Sequence, residues 1–440
     1  MAIEPYLLYT VAIISLGTFQ FGYNMAELNE PRDAMSCPSI NTATPVDGLP
    51  PCIPMASWEF GLVTSIFAVG GLFGALASQP MGNRYGRRAT LVLNSIGFIV
   101  AGMMKALAPN VPVLALGRFI SGLSSGAAAV VVPLYVNEIA PPDAKGKFGA
   151  FTQISINIGI LTTQILGLFL SKPQYWRLIL VVGAGIGILQ GVLLLGVPES
   201  PKYLVSIGNR NAARNSLARL RGSANSGMIE DEIREEEPLT GAVAENTSKV
   251  TTWEFVTRKE HRKGALIVCG LMFAQQLLGI NAVIFHGVSV LKTLLPDAAG
   301  YINVVISAAN LVITSVASMF FDKVSHKFLL IASMLGMATF SWLLAAGIAY
   351  GVAMLSAIAC FMFVSSFSIG LGPLPWMVAS KTVSYRAVDG AQSAGLVVNW
   401  IGTFIVAFAV PILPTVVSFV GFGVIGFISA ATVWYGVEAY

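Results

Sequence analysis

The sequence is poor in charge and in histidine. Only 11% of its 440 residues are Asp, Glu, Lys or Arg, well below the roughly 25% of a soluble domain, whereas 55% are hydrophobic. This balance excludes a water-soluble globular protein and predicts that a lipid bilayer is the main solvent. The chain has three histidines, and its sequence shows no metal-ligand cluster, no nucleophile paired with a base and no phosphate-binding loop. An enzyme is therefore disfavoured, and no cofactor or metal is expected.

Long apolar runs with little charge recur along the chain. Each run has about 20 residues, enough to cross a hydrocarbon core of roughly 30 Å. The pattern predicts an all-α membrane protein with twelve transmembrane helices, near Tyr6–Ala26, Phe60–Pro80, Ala89–Leu107, Val111–Val136, Phe148–Leu170, Trp176–Val197, Gly264–Leu291, Tyr301–Phe321, Phe328–Tyr350, Val352–Trp376, Gly390–Ile412 and Pro414–Tyr435.

The loops on one side hold 20 of the 26 Lys and Arg. The other side keeps Arg32, Lys105, Arg118, Lys172, Arg177 and Lys292. With twelve crossings both termini share one side, and the positive-inside rule places them in the cytoplasm with the basic loops. These loops account for the net charge of +4, so nothing indicates a nucleic-acid partner. The first apolar run lacks a positive n-region and a small-residue cleavage site, and no cleavable signal peptide is evident.

One apolar run, Phe273–Leu291, contains three carboxamides: Gln275, Gln276 and Asn281. A carboxamide removed from water without a partner costs a few kcal/mol, so each needs a partner in the protein or in a ligand. An amide offers two donors and an acceptor with two lone pairs, which suits the vicinal hydroxyls of a neutral polyol. The alternative is that these amides only join neighbouring helices.

Other polar side chains also fall inside apolar runs. In the fifth run, Gln153, Asn157 and Gln164 are four and seven residues apart and share a helical face, which we expect to look into a polar cavity. Asn310 lies mid-membrane in the eighth run.

Two tryptophans, Trp376 and Trp400, lie in the tenth and eleventh runs. Trp376 stands beside two glycines and two prolines, which predicts a broken or bent helix. Its ring either covers a sugar face or anchors the helix at the lipid interface, and lipid anchoring is also the alternative for Trp400.

Cys37 and Cys52 lie in a loop on the non-cytosolic side, among prolines and small polar residues. Two cysteines on that side can pair and close a short loop. They are expected either to form a disulfide or to remain free thiols.

A basic turn, Gly82–Arg88, follows the second apolar run. Its arginines can bond helix carbonyls, lipid headgroups or a carboxylate. Glu138, at the end of the fourth run, is either the mate of Arg84, Arg87 or Arg88 or a solvated loop charge.

The two halves of the chain carry similar motifs at corresponding positions. NRYGRR at Asn83 corresponds to DKVSHK at Asp322, and PLYVNE at Pro133 corresponds to PWMVAS at Pro375. This repeat predicts two pseudo-symmetric six-helix bundles, residues 1–200 and 264–440, joined by a cytoplasmic helical connector, residues 201–263. Transporters commonly arise from such repeats and bind their substrate near mid-membrane between the halves.

Six motifs occur in order along the chain: FGYN at Phe21, NRYGRR at Asn83, GRF at Gly117, PESPKYL at Pro198, QQLLGIN at Gln275 and GPLPW at Gly372. In this order and spacing they resemble the sugar porter family of the major facilitator superfamily, most of all the facilitative glucose transporters, over almost the whole length. The AELN at Ala26 and the QISINIGIL run at Gln153 are similar to fungal members. The resemblance therefore implies a fungal vacuolar or plasma membrane.

The resemblance also implies a function and a set of residues. It implies transport of a hexose-like sugar across the bilayer by alternating access, with the sugar bound by Gln153, Gln275, Gln276, Asn281, Asn310, Trp376 and Trp400. It implies a gating charge network of Arg84, Arg87, Arg88, Glu138, Glu199 and Asp322. Proton-coupled members carry Asp where Asn24 stands here, and an amide does not take up a proton at physiological pH, so a uniporter is favoured.

The chain departs from the family at several positions. Ser325–Lys327 stands where the second basic turn usually ends in GRR, Ser368 and Ser380 replace glutamates, and Lys145 replaces an arginine. The charge network is therefore expected to be intact in the first half and eroded in the second. This erosion motivates one alternative, a sugar sensor or partner subunit with little flux and with a membrane-protein partner.

Two further departures bear on coupling. Glu27 and His286 stand where neutral residues or tyrosine are usual in the family. Buried carboxylates and histidines titrate near neutrality, so either residue would supply a proton-linked group that Asn24 lacks. A proton-coupled sugar or polyol transporter is therefore the second alternative.

Overall fold

The computed structural model describes residues 4–37, 48–141, 145–222, 227, 229–234, 250–320, 324–375, 382–383 and 387–436. Within these residues, eleven helices are long and apolar enough to cross a membrane, and a shorter apolar helix, Ala353–Ile369, supplies the twelfth crossing. The predicted all-α membrane architecture is confirmed.

The first six crossings form one bundle. Its helices are α1 (Pro5–Ala26), a short α2 (Arg32–Ser36), α3 (Ser57–Tyr85), α4 (Arg87–Ala106), α5 (Val111–Ile139), α6 (Lys145–Leu170) and α7 (Trp176–Leu194). Helices α3 and α5 approach closely where Gly74 and Gly126 lack a side chain. A β-carbon on either glycine would collide with the backbone of the facing helix. Small residues of this kind let membrane helices pack backbone to backbone.

The connector consists of short helices, and the second bundle follows it. The connector contains α8 (Pro201–Ser206), α9 (Arg210–Arg221) and α10 (Thr252–Thr257). The second bundle contains α11 (Arg262–Leu277), α12 (Ile280–Lys292), α13 (Ala299–Ser318), α14 (His326–Ala349), α15 (Ala353–Ile369), α16 (Val388–Ala409) and α17 (Thr415–Gly436). The connector lies at one end of the two bundles, which we call the connector face. The opposite end bears Cys37 and Cys52, and we call it the disulfide face.

Two crossings of the second bundle are broken. The seventh divides into α11 and α12 at Gly279, whose φ of +90° is readily adopted only without a side chain, and the ring of Phe422 occupies the place of a β-carbon there. The tenth ends as a helix at Ile369, and residues 370–373 form a turn. The break predicted from the glycines and prolines of the tenth crossing is confirmed, whereas the break at Gly279 was not predicted.

The two bundles meet along an apolar seam. Phe21 and Phe67 of the first bundle pack with Phe285 and Trp400 of the second in one buried cluster. Separate apolar cores fill the interior of each bundle. Polar side chains that lie between the bundles are thus set in an otherwise apolar contact surface.

Candidate functional site

The break at Gly279 brings two amides of the predicted site together. Asn281, at the start of α12, donates through Nδ2 to Gln276 Oε1 at 2.5 Å and to Thr403 Oγ1 of α16 at 3.2 Å. All three side chains are buried. Asn281 Oδ1 is also buried and has no hydrogen-bond partner among the described residues. An acceptor without a donor deep in the protein is suited to a ligand hydroxyl.

Gln275 makes different contacts from its neighbour Gln276. Its Nε2 donates to the carbonyl oxygens of Leu371 and Gly372 at 2.7 and 2.9 Å, and its Oε1 accepts from Asn399 Nδ2 at 2.8 Å. Both amide hydrogens are therefore engaged with the broken end of the tenth crossing. In this structure Gln275 has the interhelical role that was the alternative interpretation of the amides.

A second group of polar side chains crosses from one bundle to the other. Gln153 Nε2 donates to Asn157 Oδ1 at 3.4 Å, and Asn157 Nδ2 donates to Thr314 Oγ1 of α13 at 3.2 Å. Thr314 Oγ1 in turn donates to Asn310 Oδ1 at 3.1 Å, which also accepts from Ser368 Oγ at 2.7 Å. The predicted polar face of α6 therefore does meet the predicted asparagine of α13.

Sequence reasoning missed the two threonines of these groups. Thr314 lies four residues after Asn310, and Thr403 lies four residues after Asn399, so each shares a helical face with an amide. That spacing was the signal by which they could have been found.

Trp400 lies in the protein interior rather than at a lipid interface. It is 4% exposed, and its ring centroid is 5.9 Å from that of Phe21 and 6.2 Å from that of Phe67. Its indole N–H has no acceptor within the part of the chain that the structure describes. Lipid anchoring is thus excluded for Trp400, while Trp376 lies outside the described residues.

Glu27 belongs to a buried charge cluster near the disulfide face. Its carboxylate pairs with Lys105 of α4 and, at 3.0 Å, with Arg118 of α5. Lys105 Nζ also donates to Asn24 Oδ1 at 2.7 Å, and Arg118 Nη1 donates to the Asn24 carbonyl oxygen at 2.5 Å. Each of the three charged side chains is at most 1% exposed. Lys105 and Arg118, which the orientation argument treated as loop charges, are instead interior residues.

His286, the other predicted proton-linked residue, lies between the bundles. Its ring is 5.8 Å from that of Phe60 and 6.2 Å from that of Phe285. Its Nε2 lies 3.3 Å from the carbonyl oxygen of Ala407. The residue is 1% exposed, and no carboxylate contacts it within the described residues.

The charge network at the connector face is built around Arg87. Its guanidinium forms two hydrogen bonds with Glu138, of 2.7 and 2.8 Å, a bidentate ion pair. Ser200 Oγ donates to the same carboxylate at 2.6 Å. Glu199 Oε1 accepts from the backbone N–H of Arg87 and Arg88 at 2.9 and 3.1 Å, which places an anion at the N-terminus of α4.

The other predicted members of this network have other roles. Arg88 donates to the carbonyl oxygens of Leu194 and Leu195, and Arg84 is exposed, with its guanidinium over the ring of Tyr85. Of the three arginines, Arg87 is thus the mate of Glu138. The described pairs all join elements of the first bundle, and Asp322 lies outside the described residues.

A disulfide, an ion pair and a hydrogen bond hold the disulfide face together within and between the bundles. Cys37 and Cys52 form a disulfide with their Cα atoms 5.5 Å apart, which is one of the two predicted states. Across the bundles, Asp33 pairs with Lys292, and the Val288 N–H donates to Asn29 Oδ1 at 3.2 Å. The two bundles are therefore in contact at this face.

Comparison with known proteins identifies the family. A family model described as "Sugar (and other) transporter" matches residues 10–438. The chain is 35% identical to the "Probable metabolite transport protein" of Saccharomyces cerevisiae over 93% of this chain and 87% of that protein. It is 30% identical to the "Vacuolar protein sorting-associated protein 73" of the same yeast, over 97% and 92%. It is also 30% identical to the "facilitated glucose transporter member 2" of Rattus norvegicus, over 91% and 84%.

The fold has a counterpart among solved structures. The partially occluded, inward-open xylose transporter XylE from E. coli superposes with a TM-score of 0.81 at 22% identity, over 98% of this chain and all of that one. At this identity the likeness shows the fold alone, which is that of the major facilitator superfamily. These findings confirm the resemblance given by the sequence motifs, and the chain belongs to the sugar transporter family, a family of multi-pass membrane transporters rather than of enzymes.

Proposed function

We propose that this protein carries a neutral, hexose-like sugar down its concentration gradient by alternating access of the site between its two bundles. The observation that carries the proposal is the uncharged set of Gln276, Asn281 and Thr403, in which a buried acceptor, Asn281 Oδ1, has no described partner. Neutral donors and acceptors replace the water that a sugar loses on entering the membrane, and they require no counter-charge.

The proposed sugar site extends from this set to the bridging group. Gln153 and Asn310 lie on the chain of hydrogen bonds that crosses between the bundles, and Trp400 supplies an aromatic wall on the seam. Trp376 completes the proposed set. Gln275, which the sequence predicted as a sugar ligand, is proposed to position the broken end of the tenth crossing, since its amide is engaged there. The bundles are proposed to be residues 1–200 and 264–440, which move against each other about the connector, residues 201–263.

We propose uniport, because Asn24 has an amide where proton-coupled relatives have a carboxylate. Coupling to protons is the second candidate. Its support is Glu27, a carboxylate buried one helical turn from Asn24 and held by two cations.

The orientation and the membrane are also proposals. The disulfide face is proposed to be the non-cytosolic side, since disulfides persist there, so both termini and the connector are cytoplasmic. The membrane is proposed to be a fungal vacuolar or plasma membrane. Both yeast relatives support the fungal source, and the name of one of them, a vacuolar protein sorting-associated protein, supports the vacuole. A membrane-protein partner belongs to the low-flux sensor alternative, which an ordinary carrier turnover would exclude.

The test is sugar uptake into proteoliposomes, with a panel of hexoses, pentoses and inositol at two pH gradients. Saturable uptake of a hexose without a pH gradient is expected, and Gln276→Ala should abolish it. Gln174→Ala, which removes an exposed amide at the disulfide face, is the matched control and should transport normally. Uptake only with an imposed proton gradient would establish the coupled alternative, and no uptake of any sugar would refute the carrier.

A further inference from the structure

Glu30 lies in a cradle that both bundles build at the disulfide face. The residue belongs to the turn between α1 and α2. A β-carbon on Gly167 of α6 would overlap Cβ and Cγ of Glu30, and one on Gly300 of α13 would lie 3.1 and 3.4 Å from its two carboxyl oxygens. One glycine from each bundle therefore leaves the space that this side chain fills.

The cradle is polar but poorly matched to a carboxylate. Glu30 Oε1 is buried and accepts no hydrogen bond from the described residues. The Asn303 amide of α13 favours the ionised form through a hydrogen bond to the carboxyl group, but this effect is smaller than that of burial, and Oε1 is left without a donor. An ionised carboxylate only accepts hydrogen bonds, and its burial without donors is costly. A neutral carboxylic acid fits this place at lower cost.

The charged groups around the cradle do not neutralise Glu30. Lys292, at the end of α12, is the cation that acts on it, and the ammonium of Lys292 is paired with Asp33. From α6 and α13 the facing residues are the glycines of the cradle, Leu168 and Asn303, none of which titrates. On its own segment, the Arg32 guanidinium lies over the ring of Phe60 at 4.7 Å.

We propose that Glu30 is a proton-binding site that governs closure of the disulfide face. The side chain enters the cradle as a neutral acid when the bundles close, and it returns to water as a carboxylate when they part. The proton binds from, and returns to, the compartment on that face, so no net proton transport is needed. The proposal rests on the proposed alternating access and adds regulation to it.

The direction of the pH effect follows from the two environments. Burial raises the pKa of Glu30 to about 7, against smaller opposing effects of the Asn303 amide and the Lys292 cation. A glutamate in water has a pKa of about 4.3. Between these values the closed state binds more protons than the open state, so acid favours closure and the contribution is lost as the pH rises through 7. From pH 8 to pH 5 the closed-to-open ratio should rise up to about 70-fold.

The test measures closure directly, without sugar. Spin labels at Gln174 and Tyr350, exposed on the disulfide face of the first and second bundles, report the distance between the bundles in lipid nanodiscs. The free Cys269 and Cys360 are replaced by serine. In the otherwise native chain, lowering the pH from 8 to 5 should shift the population from long to short distances. Glu30→Gln should be closed throughout, since the amide mimics the neutral acid.

Two further variants complete the design. Asp297→Asn removes an exposed carboxylate from the same face and should keep the full pH shift. Gly300→Ala puts a methyl group against the carboxyl oxygens and should abolish the shift. A distance distribution independent of pH, or a shift that survives in Glu30→Gln, would overturn the proposal. Because no sugar is present, these results do not depend on the uptake assay: lack of uptake with an intact pH shift would refute only the carrier.

Discussion

The two bundles share a fold but differ in the polar groups that they bury. Among the described residues, the buried Asp, Glu, Lys and Arg side chains, which are Glu27, Arg87, Lys105 and Arg118, all lie in the first bundle. The second bundle buries amides, hydroxyls and two histidines, including Gln275, Gln276, Asn281, Asn310 and Thr403. The first bundle buries amides and hydroxyls as well, so the two bundles differ in their buried Asp, Glu, Lys and Arg side chains.

The difference indicates that the two bundles have different roles, the first as a rigid body and the second as the bundle whose hydrogen bonds change partner. Ion pairs in a low-dielectric interior hold their partners in one geometry, because loss of either member leaves a charge uncompensated. The pairs of the first bundle lie within it, near both faces, and should make it a rigid body. Amides exchange partners at lower cost than charges do, so the second bundle can release its internal hydrogen bonds to a sugar and re-form them after release.

Removing Glu138 should have the largest effect on the first bundle. Glu138→Ala leaves the Arg87 guanidinium buried without its carboxylate, which should lower the free energy of unfolding by about 3–5 kcal/mol. Thermal unfolding in detergent measures this loss. Arg84→Ala, which removes an exposed arginine of the same turn, should unfold like the native chain. A Glu138→Ala variant of native stability would show that the first bundle does not depend on its charges.

Removing Asn281 should affect transport far more than stability. Asn281→Ala deletes the buried acceptor offered to the sugar, and loss of such a hydrogen bond should reduce kcat/KM for uptake by about 10–100-fold. The unfolding transition should move little, since the lost internal bonds are uncharged. Were the variant to lose stability as Glu138→Ala does while transporting normally, the proposed contrast between the bundles would be reversed.

Removing Gln275 should separate a positioning role from a sugar contact. Gln275→Ala leaves the Leu371 and Gly372 carbonyls without their donor, so the broken end of the tenth crossing loses its attachment to α11. We expect kcat to fall about tenfold with a smaller change in KM, as for a residue that acts on the conformational step. Asn399→Ala keeps both carbonyl contacts and is the milder control. A rise in KM with native kcat would instead make Gln275 a direct ligand.

Much of this contrast was predictable from the sequence, and the rest was not. Polar residues in an apolar run stand out by composition, so Gln276, Asn281 and Asn310 were found without a structure. Lys105 and Arg118 were not recognised as interior residues, because hydropathy cannot distinguish a loop charge from one whose partner is distant in sequence. Glu27 lies 78 residues from Lys105 and 91 from Arg118, and only the packing of α4 and α5 against α1 brings them together.

The break at Gly279 was missed for a related reason. Its flanking residues continue the apolar run, and a single glycine is common in membrane helices. In the folded chain the φ of Gly279 is positive, and the ring of Phe422 of α17 occupies the place of a β-carbon there. Phe422 is distant in sequence, so local composition does not reveal this packing at the break between Gln276 and Asn281.

Removing Ser368 should have the smallest effect and tests whether the second bundle is as adaptable as proposed. Ser368 lies at the end of α15, and its hydroxyl donates to Asn310 Oδ1. In Ser368→Ala that oxygen keeps the Thr314 bond, so KM should rise only about threefold, less than the cost of one ordinary hydrogen bond. Ser341→Ala removes another buried hydroxyl of the same bundle, bonded to the Phe419 carbonyl, and should leave KM unchanged. A loss as large as that of Asn281→Ala would mean that Asn310 depends on one fixed partner, and the second bundle would then be as rigidly specified as the first.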